Sequence, residues 1–295
     1  MKYLLYGYSH SFGNKFENQF FQGIVKFINF WRKKMKRLLI SVLVLFTAFS
    51  TSYAGDGSWE KVKKAGVLRV GLDDAFPPMG FTIEDGTLAG FDIEIGEEAG
   101  KRLGVEIKWQ PTAWSGVIPS LNANKFDCIW NGMTITEDRA GKVAFTKPYI
   151  MDGQIAVVRF DDKRFKSPAD LGGQILGVQK GSSAVSAVEK LENPAKEVRE
   201  YNDNPMALLD LEAKRLDAVI IDNVVGRYTV AKRLGKFKTL PGFISKEPFG
   251  VAFRKGDDSL RAKLQETLDA MVKDGTMAKI SKKWFGEDIT DPSKW

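Results

Sequence analysis

Two carboxylates stand directly after strand-like runs of the sequence. Asp73 follows the run 67–72, and Asp222 follows the apolar run 218–221. Ligands of α/β proteins bind outside the carboxyl ends of the strands, so both side chains are placed where a ligand would meet them. A buried carboxylate there needs a cationic or hydrogen-bonding partner, which a ligand ammonium would supply. Each residue also fits a structural role, Asp222 as a helix N-cap and Asp73 in a solvated turn.

An anion would find partners elsewhere in the chain. Gly181-Ser182-Ser183 opens a predicted helix whose free N–H groups suit a carboxylate, although Gly-Ser before a helix is also an ordinary cap. Arg139, on a short predicted helix over 137–142, carries the planar guanidinium that holds carboxylates through two parallel hydrogen bonds. Its spacing alone favours a solvated surface arginine, so a binding role for Arg139 depends on the motif around it.

Histidine and cysteine are almost absent from the chain. His10 is the single histidine and Cys128 the single cysteine, so residues 55–295 offer no histidine base, no His/Cys metal site and no internal disulfide. The strand-like run 126–130 predicts that Cys128 is a small buried residue and not a reactive thiol. Carboxylate, lysine, tyrosine or serine chemistry remains open, and no metal or cofactor is predicted.

The net charge of +7 over 295 residues is concentrated near the N-terminus. Residues 1–54 hold eight basic and one acidic side chain, which leaves 36 of each in residues 55–295. That neutral body predicts no nucleic-acid partner. A basic segment at 32–37, an apolar run at 38–49 and small residues up to Ala54 form a secretory signal with cleavage expected after Ala54.

Met35 is the natural start of this signal, which makes residues 1–34 an upstream extension or part of a longer leader. The apolar run is short for a spanning helix, which needs about 20 residues, although an uncleaved membrane anchor is the alternative. No cysteine lies near the cleavage site, so a lipid anchor is not expected. The sequence therefore predicts a protein released into the periplasm.

Strands and helices alternate through the body of the chain, first over 67–130 and again from 154. The predicted strands are 67–72, 105–109, 127–130, 154–159, 174–178, 198–201, 218–221 and 249–253. The predicted helices are 91–103, 117–124, 182–191, 205–214, 223–234, 259–273 and 277–284. Alternation of this kind predicts α/β layers with largely parallel sheets. Two successive units without a disordered joint predict two lobes with a cleft between them.

Five segments, in order, resemble family 3 of the solute-binding proteins, the periplasmic receptors of polar amino-acid ABC importers. They are Gly90-Phe91-Asp92-Ile93-Glu94-Ile95, the run 131–139 with Phe145-Thr146-Lys147-Pro148-Tyr149, the run 177–183, the run 217–222 and Lys283-Trp284-Phe285-Gly286. The likeness spans about 59–289. It implies a type II periplasmic-binding-protein fold, with lobe 1 at 55–151 plus 248–295 and lobe 2 at 152–247. Two strand crossovers near 151–153 and 246–248 would join the lobes around a ligand cleft.

The resemblance also implies a set of ligand-binding residues. They are Asp73, Phe76, Trp114, Asn131, Gly132, Thr134, Arg139, Gln179, Ser182, Ser183 and Asp222. Arg139 would hold the α-carboxylate of an amino acid, with help from Thr134 and Ser183. Asp222 and the carbonyl of Gly132 would receive the α-ammonium. Phe76 and Trp114 would enclose the side-chain stem, and Asp73 would select the group at its end.

The predicted function is extracytoplasmic capture of a polar L-amino acid by a monomer that delivers it to an ABC permease, without catalysis. Arginine or lysine is favoured because Asp73 would pair with a distal positive charge. Cystine and glutamine receptors are the alternatives within the family. A periplasmic cyclohexadienyl or arogenate dehydratase on the same fold, and a sensory input domain, are the alternatives outside transport.

Overall fold

The computed structural model describes residues 56–295, together with Gly23 and Arg32 taken singly. The predicted leader over 1–54 and its cleavage site therefore lie, apart from those two residues, outside the described part of the chain. Among the described residues, no helix has the length and apolar character needed to cross a membrane.

The strands of residues 56–295 are short, apart from the ten-residue β8. They are β1 Val67–Leu72, β2 Ala75–Phe76, β3 Gly80–Thr82, β4 Leu88–Ala89, β5 Glu106–Pro111, β6 Cys128–Ile129, β7 Ala144–Phe145, β8 Ile150–Arg159, β9 Ile175–Gln179, β10 Glu197–Tyr201, β11 Ala218–Asp222, β12 Phe237–Thr239, β13 Ser245–Phe249 and β14 Ala252–Phe253. The predicted strands thus recur, except that the run 249–253 divides into the end of β13 and the separate β14.

Helices follow the strands as the alternation predicts. They are α1 Ser58–Ala65, α2 Phe91–Leu103, α3 Val117–Asn122, α4 Glu137–Lys142, α5 Ser183–Glu189, α6 Asn204–Glu212, α7 Asn223–Lys232, α8 Asp258–Lys273 and α9 Thr276–Phe285. Helix α2 buries Phe91, Ile95 and Ala99 on one face, and it ends at Gly104, whose φ of 71° closes the last turn. Glycine adopts this left-handed conformation without a steric clash, which explains why the helix ends here.

Two sheets organise the described chain. The first has the order β5-β1-β6-β14-β7, and the second has the order β10-β9-β11-β8-β12 with β13 also paired to β8. Strands β2, β3 and β4 form a small separate hairpin sheet. The prediction of largely parallel sheets holds only in part. Strand β1 is parallel to β5 and β6, and β9 is parallel to β10 and β11, but β14 is antiparallel to β6 and β7, and β8 is antiparallel to β11, β12 and β13.

The antiparallel strands arise where the chain passes between the sheets. Strand β8 enters the second sheet, and β13 runs back beside it with Glu247 opposite Asp152 and Pro248 opposite Met151. Phe249 is the last residue of β13, and after two intervening residues the chain joins the first sheet as β14. The run 249–253 is therefore shared by two sheets, which explains why it is not one strand. The lobe boundaries at 151/152 and 247/248 stay a prediction.

Both faces of β8 are covered. Ala156 and Val158 belong to one buried apolar cluster, whereas Ile155 and Val157 belong to another, as the two-residue period of a strand requires. A fully buried valine or isoleucine contributes about 1.5–3 kcal/mol, so this strand is firmly held between the two clusters. Cys128 is buried in β6, which confirms the prediction of a small buried strand residue, and burial raises the pKa of its thiol well above the ordinary value.

Candidate ligand-binding site

A small cavity lies between residues that end or follow strands of the two sheets. Its lining consists of Phe76, Trp114, Asn131, Gly132, Thr134, Arg139, Gln179, Ser182, Ser183 and Asp222. All ten belong to the set of eleven that the sequence predicts. The eleventh, Asp73, does not line the cavity but contacts Gln179, which does.

Arg139 supplies a buried positive charge to this cavity. Its helix α4 is capped by Thr136, whose side chain accepts a hydrogen bond from the Arg139 N–H, and only 7% of the residue is exposed. The guanidinium donates to two carbonyl oxygens, those of Thr134 and Gly181, each at 3.0 Å. The guanidinium forms no ion pair within 4 Å with any acid of the described chain. Its hydrogen-bond acceptors are therefore the two neutral carbonyl groups alone.

The face of the Arg139 guanidinium lies against Trp114, 5.5 Å from the ring centroid. Burial lowers the pKa of Arg139, while the negative charges of Asp222, Glu247 and Asp138 oppose that shift. An arginine titrates so far above neutrality that the group stays positive throughout the physiological range.

Asp222 supplies a buried carboxyl group to the same cavity. Asp222 ends β11 directly before α7, yet its side chain makes no capping hydrogen bond. The alternative role that the sequence offers, a side-chain N-cap of this helix, is therefore not observed. The residue is 6% exposed, and its Oδ1 accepts from Nε2 of Gln154 at 2.7 Å. Burial, together with the negative charges of Asp152 and Glu247, raises the pKa of Asp222 well above its ordinary value.

Two hydroxyl groups lie between these charges. The Oγ1 of Thr134 and the Oγ of Ser183 are 3.1 Å apart, and Ser183 also accepts from Nε2 of Gln154 at 3.1 Å. Ser182 behaves differently, since its hydroxyl donates to the carbonyl of Gln179 at 2.8 Å. Thr134 and Ser183 can therefore contribute hydroxyl groups to a ligand carboxylate, whereas Ser182 shapes the turn before α5.

Gly132 forms part of the cavity wall in a conformation that requires glycine. Its φ is 56°, and a Cβ there would lie 2.9 Å from a ring carbon of Phe76. The Gly132 N–H donates to Oδ2 of Asp92 at 2.7 Å, and the hydroxyl of Tyr149 donates to the same oxygen at 3.0 Å. Asp92 is fully buried, and burial raises its pKa to about 7. This network fixes the orientation of the Gly132 peptide.

Phe76 and Trp114, the two predicted aromatic residues, both line the cavity and are almost entirely buried. Phe76 ends β2, and Trp114 opens a short 3-10 helix before α3. Aromatic faces suit an aliphatic stem and also a cation, so their presence fits the predicted enclosure of an amino-acid side chain.

The far end of the cavity is held by a polar pair. Nε2 of Gln179 donates to Oδ2 of Asp73 at 2.6 Å, and the N–H of Ala75 donates to Oδ1 of Asp73 at 2.9 Å. Asn131 accepts from the N–H of Asp73 at 3.2 Å and lines the cavity itself. Burial raises the pKa of Asp73, while the hydrogen bonds from Ala75 and Gln179 oppose the rise. Asp73 therefore acts on the cavity through Gln179.

The described residues contain no cluster of three or more histidine, cysteine, aspartate or glutamate side chains that would hold a metal ion. The polar groups around the cavity are instead one guanidinium, one carboxylate, amides and hydroxyls. Such a set suits a small molecule that carries both a positive and a negative charge.

This fold, with its two sheets joined by β8 and β13 around a charged cavity, is the two-lobed α/β fold of the type II periplasmic binding proteins. The model of the family described as bacterial extracellular solute-binding proteins, family 3, matches residues 68–287. The chain belongs to this family.

Curated relatives differ in the ligand that their names give. The L-cystine-binding protein TcyJ of Escherichia coli K12 is 35% identical over 240 residues, which cover 81% of this chain and 90% of the relative. An L-arginine-binding protein of Pseudomonas aeruginosa is 33% identical over 269 residues, covering 86% and 98% of the two chains.

A solved structure relates the fold to an enzyme lineage. The ancestral amino acid-binding protein AncCDT-1, described as a precursor of cyclohexadienyl dehydratase, matches with a TM-score of 0.73 and 35% identity. The match covers 77% of this chain and 99% of AncCDT-1. The two curated relatives are named as binding proteins, so the family supports binding more strongly than catalysis.

The sequence does not predict the roles of three residues that lie behind the cavity lining. Gln154 bridges Ser183 and Asp222, Asp92 holds the Gly132 peptide, and Asp152 lies opposite Glu247 beside Asp222. Asp92 carried a signal, since it stands in the Gly90-Phe91-Asp92 motif, but the motif does not reveal its partner. Gln154 and Asp152 carry no local signal, because their roles follow from strand pairing across about 70 residues.

Proposed function

We propose that the protein captures a free polar L-amino acid outside the cytoplasm and delivers it to an ABC permease. The observation that carries this proposal is the pair of buried, oppositely charged groups, Arg139 and Asp222, that line one cavity without pairing to each other. Removing two charges from water is costly unless each gains a partner. An α-amino acid supplies a carboxylate for Arg139 and an ammonium for Asp222 at once.

The neighbouring groups take matching roles in this proposal. Thr134 and Ser183 donate hydroxyl hydrogen bonds to the carboxylate, and the carbonyl of Gly132 accepts from the ammonium. Phe76 and Trp114 enclose the stem of the side chain. Asn131 and Gln179 face the side chain toward its end.

Arginine or lysine is the favoured ligand. The negative charge of Asp73 lies behind the Gln179 amide, and Asp74 and Asp203 add to the negative field around it. A distal guanidinium or ammonium would thus enter an acidic environment. Cystine is the second candidate, because the relative from E. coli carries that ligand in its name at 35% identity. Glutamine is the third, since an amide pairs with Gln179 or Asn131.

We assign lobe 1 to 55–151 plus 248–295 and lobe 2 to 152–247, with the paired segments of β8 and β13 as the hinge. Hinge closure around the ligand would expose a closed form to the permease. The protein acts as a monomer in the periplasm, after cleavage behind Ala54, and has no nucleic-acid partner. N-terminal sequencing of secreted protein should find Gly55; a chain that retains its apolar segment in the membrane fraction would contradict the cleavage.

No catalytic step is part of this proposal, because binding alone accounts for the two charged groups of the cavity. The relation to AncCDT-1 makes a dehydratase the alternative to test. Incubation with prephenate and with arogenate should give no turnover. Conversion of either compound at a rate that depends on Asp222 would overturn the proposal.

The deciding experiment is a thermal-shift screen of the secreted protein against all common amino acids and cystine. A ligand that binds only the native state raises its apparent stability by RT ln(1 + [L]/Kd), about 2.7 kcal/mol at a hundredfold excess over Kd. One or a few polar L-amino acids should raise the melting temperature, and their D-isomers should not. No shift with any amino acid would refute the proposed function.

A further inference from the structure

We propose that Gln154 is a positioning residue of the ligand site, whose single amide group orients both Asp222 and Ser183 for their contacts with the ligand. This inference rests on the proposed function, because it assigns a role within the same site. Gln154 does not line the cavity and lies one hydrogen bond behind two residues that do.

The position of Gln154 in the sheet makes this bridge rigid. The residue lies on β8, between Asp222 of β11 on one side and Ser245 of β13 on the other. It has no exposed surface. Its Nε2 donates to Oδ1 of Asp222 at 2.7 Å and to Oγ of Ser183 at 3.1 Å. Both protons of the amide group are thereby used on the two residues that flank the cavity.

Hydrogen-bond chemistry fixes the direction of these contacts. An ionised carboxylate only accepts, so the amide must present its nitrogen and not its oxygen to Asp222. A hydroxyl has one proton to donate. Because Ser183 accepts from Gln154, the proton of Ser183 is free to point toward Thr134 or toward a ligand carboxylate. Gln154 thus leaves Asp222 as an acceptor for a ligand ammonium and Ser183 as a donor for a ligand carboxylate.

Asp222 needs this support because its surroundings are negative. Asp152 on β8 and Glu247 on β13 both act against its ionised form, and Arg139 on α4 acts in its favour. Gln154 is the residue of the described chain that hydrogen-bonds the Asp222 side chain. Without that donor, the ionised form that receives an ammonium would be favoured less.

The test compares Gln154→Leu with the wild-type secreted protein by calorimetry from pH 5.5 to 8.5, using the amino acid that the thermal-shift screen identifies. Leucine has a similar volume and suits a fully buried position. We expect at least a tenfold loss of affinity at pH 7. We also expect the loss to become smaller as pH rises, because the pKa of Asp222 moves up when its donor is removed and binding needs the ionised carboxylate.

Gln154→Met serves as a second variant if the leucine variant fails to fold. Gln174→Leu is the matched control, since the side chain of this half-buried glutamine donates to the carbonyl of Gly172 and accepts from Arg164, neither of which lines the cavity. It should leave both affinity and its pH dependence unchanged. A uniform loss of affinity at every pH in both Gln154 variants would indicate a merely structural role and overturn the inference.

A second readout does not need a ligand. Carbon-13 NMR of aspartate-labelled protein follows the titration of Asp222, whose signal is identified by its loss in Asp222→Asn. Gln154→Leu should move the titration midpoint upward. An unchanged midpoint overturns the inference even if an amino acid binds. If the midpoint shifts but the protein binds no amino acid, the effect of Gln154 on Asp222 is supported and the proposed function is refuted.

Discussion

The two ends of the cavity are built on different principles. At one end, Arg139 and Asp222 carry opposite charges that are buried but not paired with each other, and neutral groups hold each in place. At the other end, Asp73 and Gln179 already satisfy each other through a hydrogen bond of 2.6 Å. We therefore expect the first end to require the ammonium and carboxylate of an amino acid. The second end would only select among the side chains that such a ligand can have.

This difference accounts for a family in which the common part of the ligand is constant and the side chain varies. In the proposed site, every α-amino acid would present the same carboxylate to Arg139 and the same ammonium to Asp222. Cystine and arginine, the ligands in the names of the two relatives, share these two groups and differ in their side chains, which in the proposed site would extend toward Asp73 and Gln179. Substitutions at the first end should therefore abolish binding, and those at the second should change selectivity.

The largest effects are expected for Arg139→Ala and Asp222→Ala. Each leaves the opposite charge of the ligand buried without its partner, which typically costs about 2–5 kcal/mol. At about 1.4 kcal/mol per tenfold, affinity should fall by roughly 30-fold to several thousand-fold. Calorimetry on folded variants measures this loss.

Two residues away from the cavity provide the controls for this pair. Arg102 forms a surface ion pair with Asp274, and Asp210 accepts from Tyr201 and Arg215 away from the cavity. Arg102→Ala and Asp210→Ala should leave affinity unchanged. A loss below about threefold in Arg139→Ala or Asp222→Ala would remove that residue from the site and erase the contrast between the two ends.

A smaller and selective effect is expected for Asp73→Asn. Loss of the charge behind Gln179 should weaken arginine or lysine by about 1–3 kcal/mol, the range of hydrogen bonds to charged groups. Glutamine should be affected much less, because an amide pairs with asparagine as well as with aspartate. Titration of the three amino acids against both proteins measures the change in selectivity.

Asp74→Asn is the matched control, because Asp74 accepts from the exposed hydroxyl of Thr82 and not from a cavity residue. Asp74→Asn should weaken arginine or lysine much less than Asp73→Asn does, because Asp74 adds only to the surrounding negative field and does not hydrogen-bond a cavity residue. If the wild-type protein binds cystine or glutamine and ignores arginine and lysine, the electrostatic account of the second end is wrong, and Asp73 is only a support for Gln179.

The smallest effect on affinity is expected for Asp92→Asn, less than about threefold, because the asparagine oxygen can still accept from the Gly132 N–H. Its signature is in stability. The pKa of Asp92 is about 7 in the folded protein and 3.8 ordinarily, so the folded state holds the proton more tightly. Its contribution to the free energy of unfolding is therefore lost as pH rises from about 4 to 7, by up to about 1.4 kcal/mol per pH unit.

Urea denaturation of the ligand-free protein between pH 5 and 7.5 tests this. Asp92→Asn should become more stable relative to wild type as pH rises, with a plateau above pH 7. Asp138→Asn, at an exposed ion pair with Lys142, should show no such trend. A difference between Asp92→Asn and wild type that does not change with pH would mean that Asp92 is ionised throughout.

Local patterns predict much of this molecule. The helix from Phe91 to Gly104 follows from its apolar spacing and its glycine stop, and the Gly86 turn, with a φ of 86°, follows from the short runs that flank it. The cavity lining follows from motifs in which the lining residues are neighbours in sequence, such as Asn131, Gly132 and Thr134.

Long-range pairing was beyond the reach of local patterns. The run 249–253 looks like one strand because every residue in it suits a strand, yet its ends pair with different sheets. Gln154 looks like one polar residue in an apolar strand. Its role depends on the register that sets it beside Asp222, 68 residues away. Such a register is decided by the packing of whole lobes and not by neighbouring residues.

The central claim, that one cavity uses two separate buried charges to hold the common part of an amino acid, is tested most directly by changing the ligand. Calorimetry should compare the best-binding amino acid with its decarboxylated amine and with its desamino acid. Each truncated compound should bind at least about 30-fold more weakly, and Asp222→Ala should weaken the desamino acid little further, because that ligand has no ammonium to lose. Binding of either truncated compound within threefold of the parent amino acid would contradict the account.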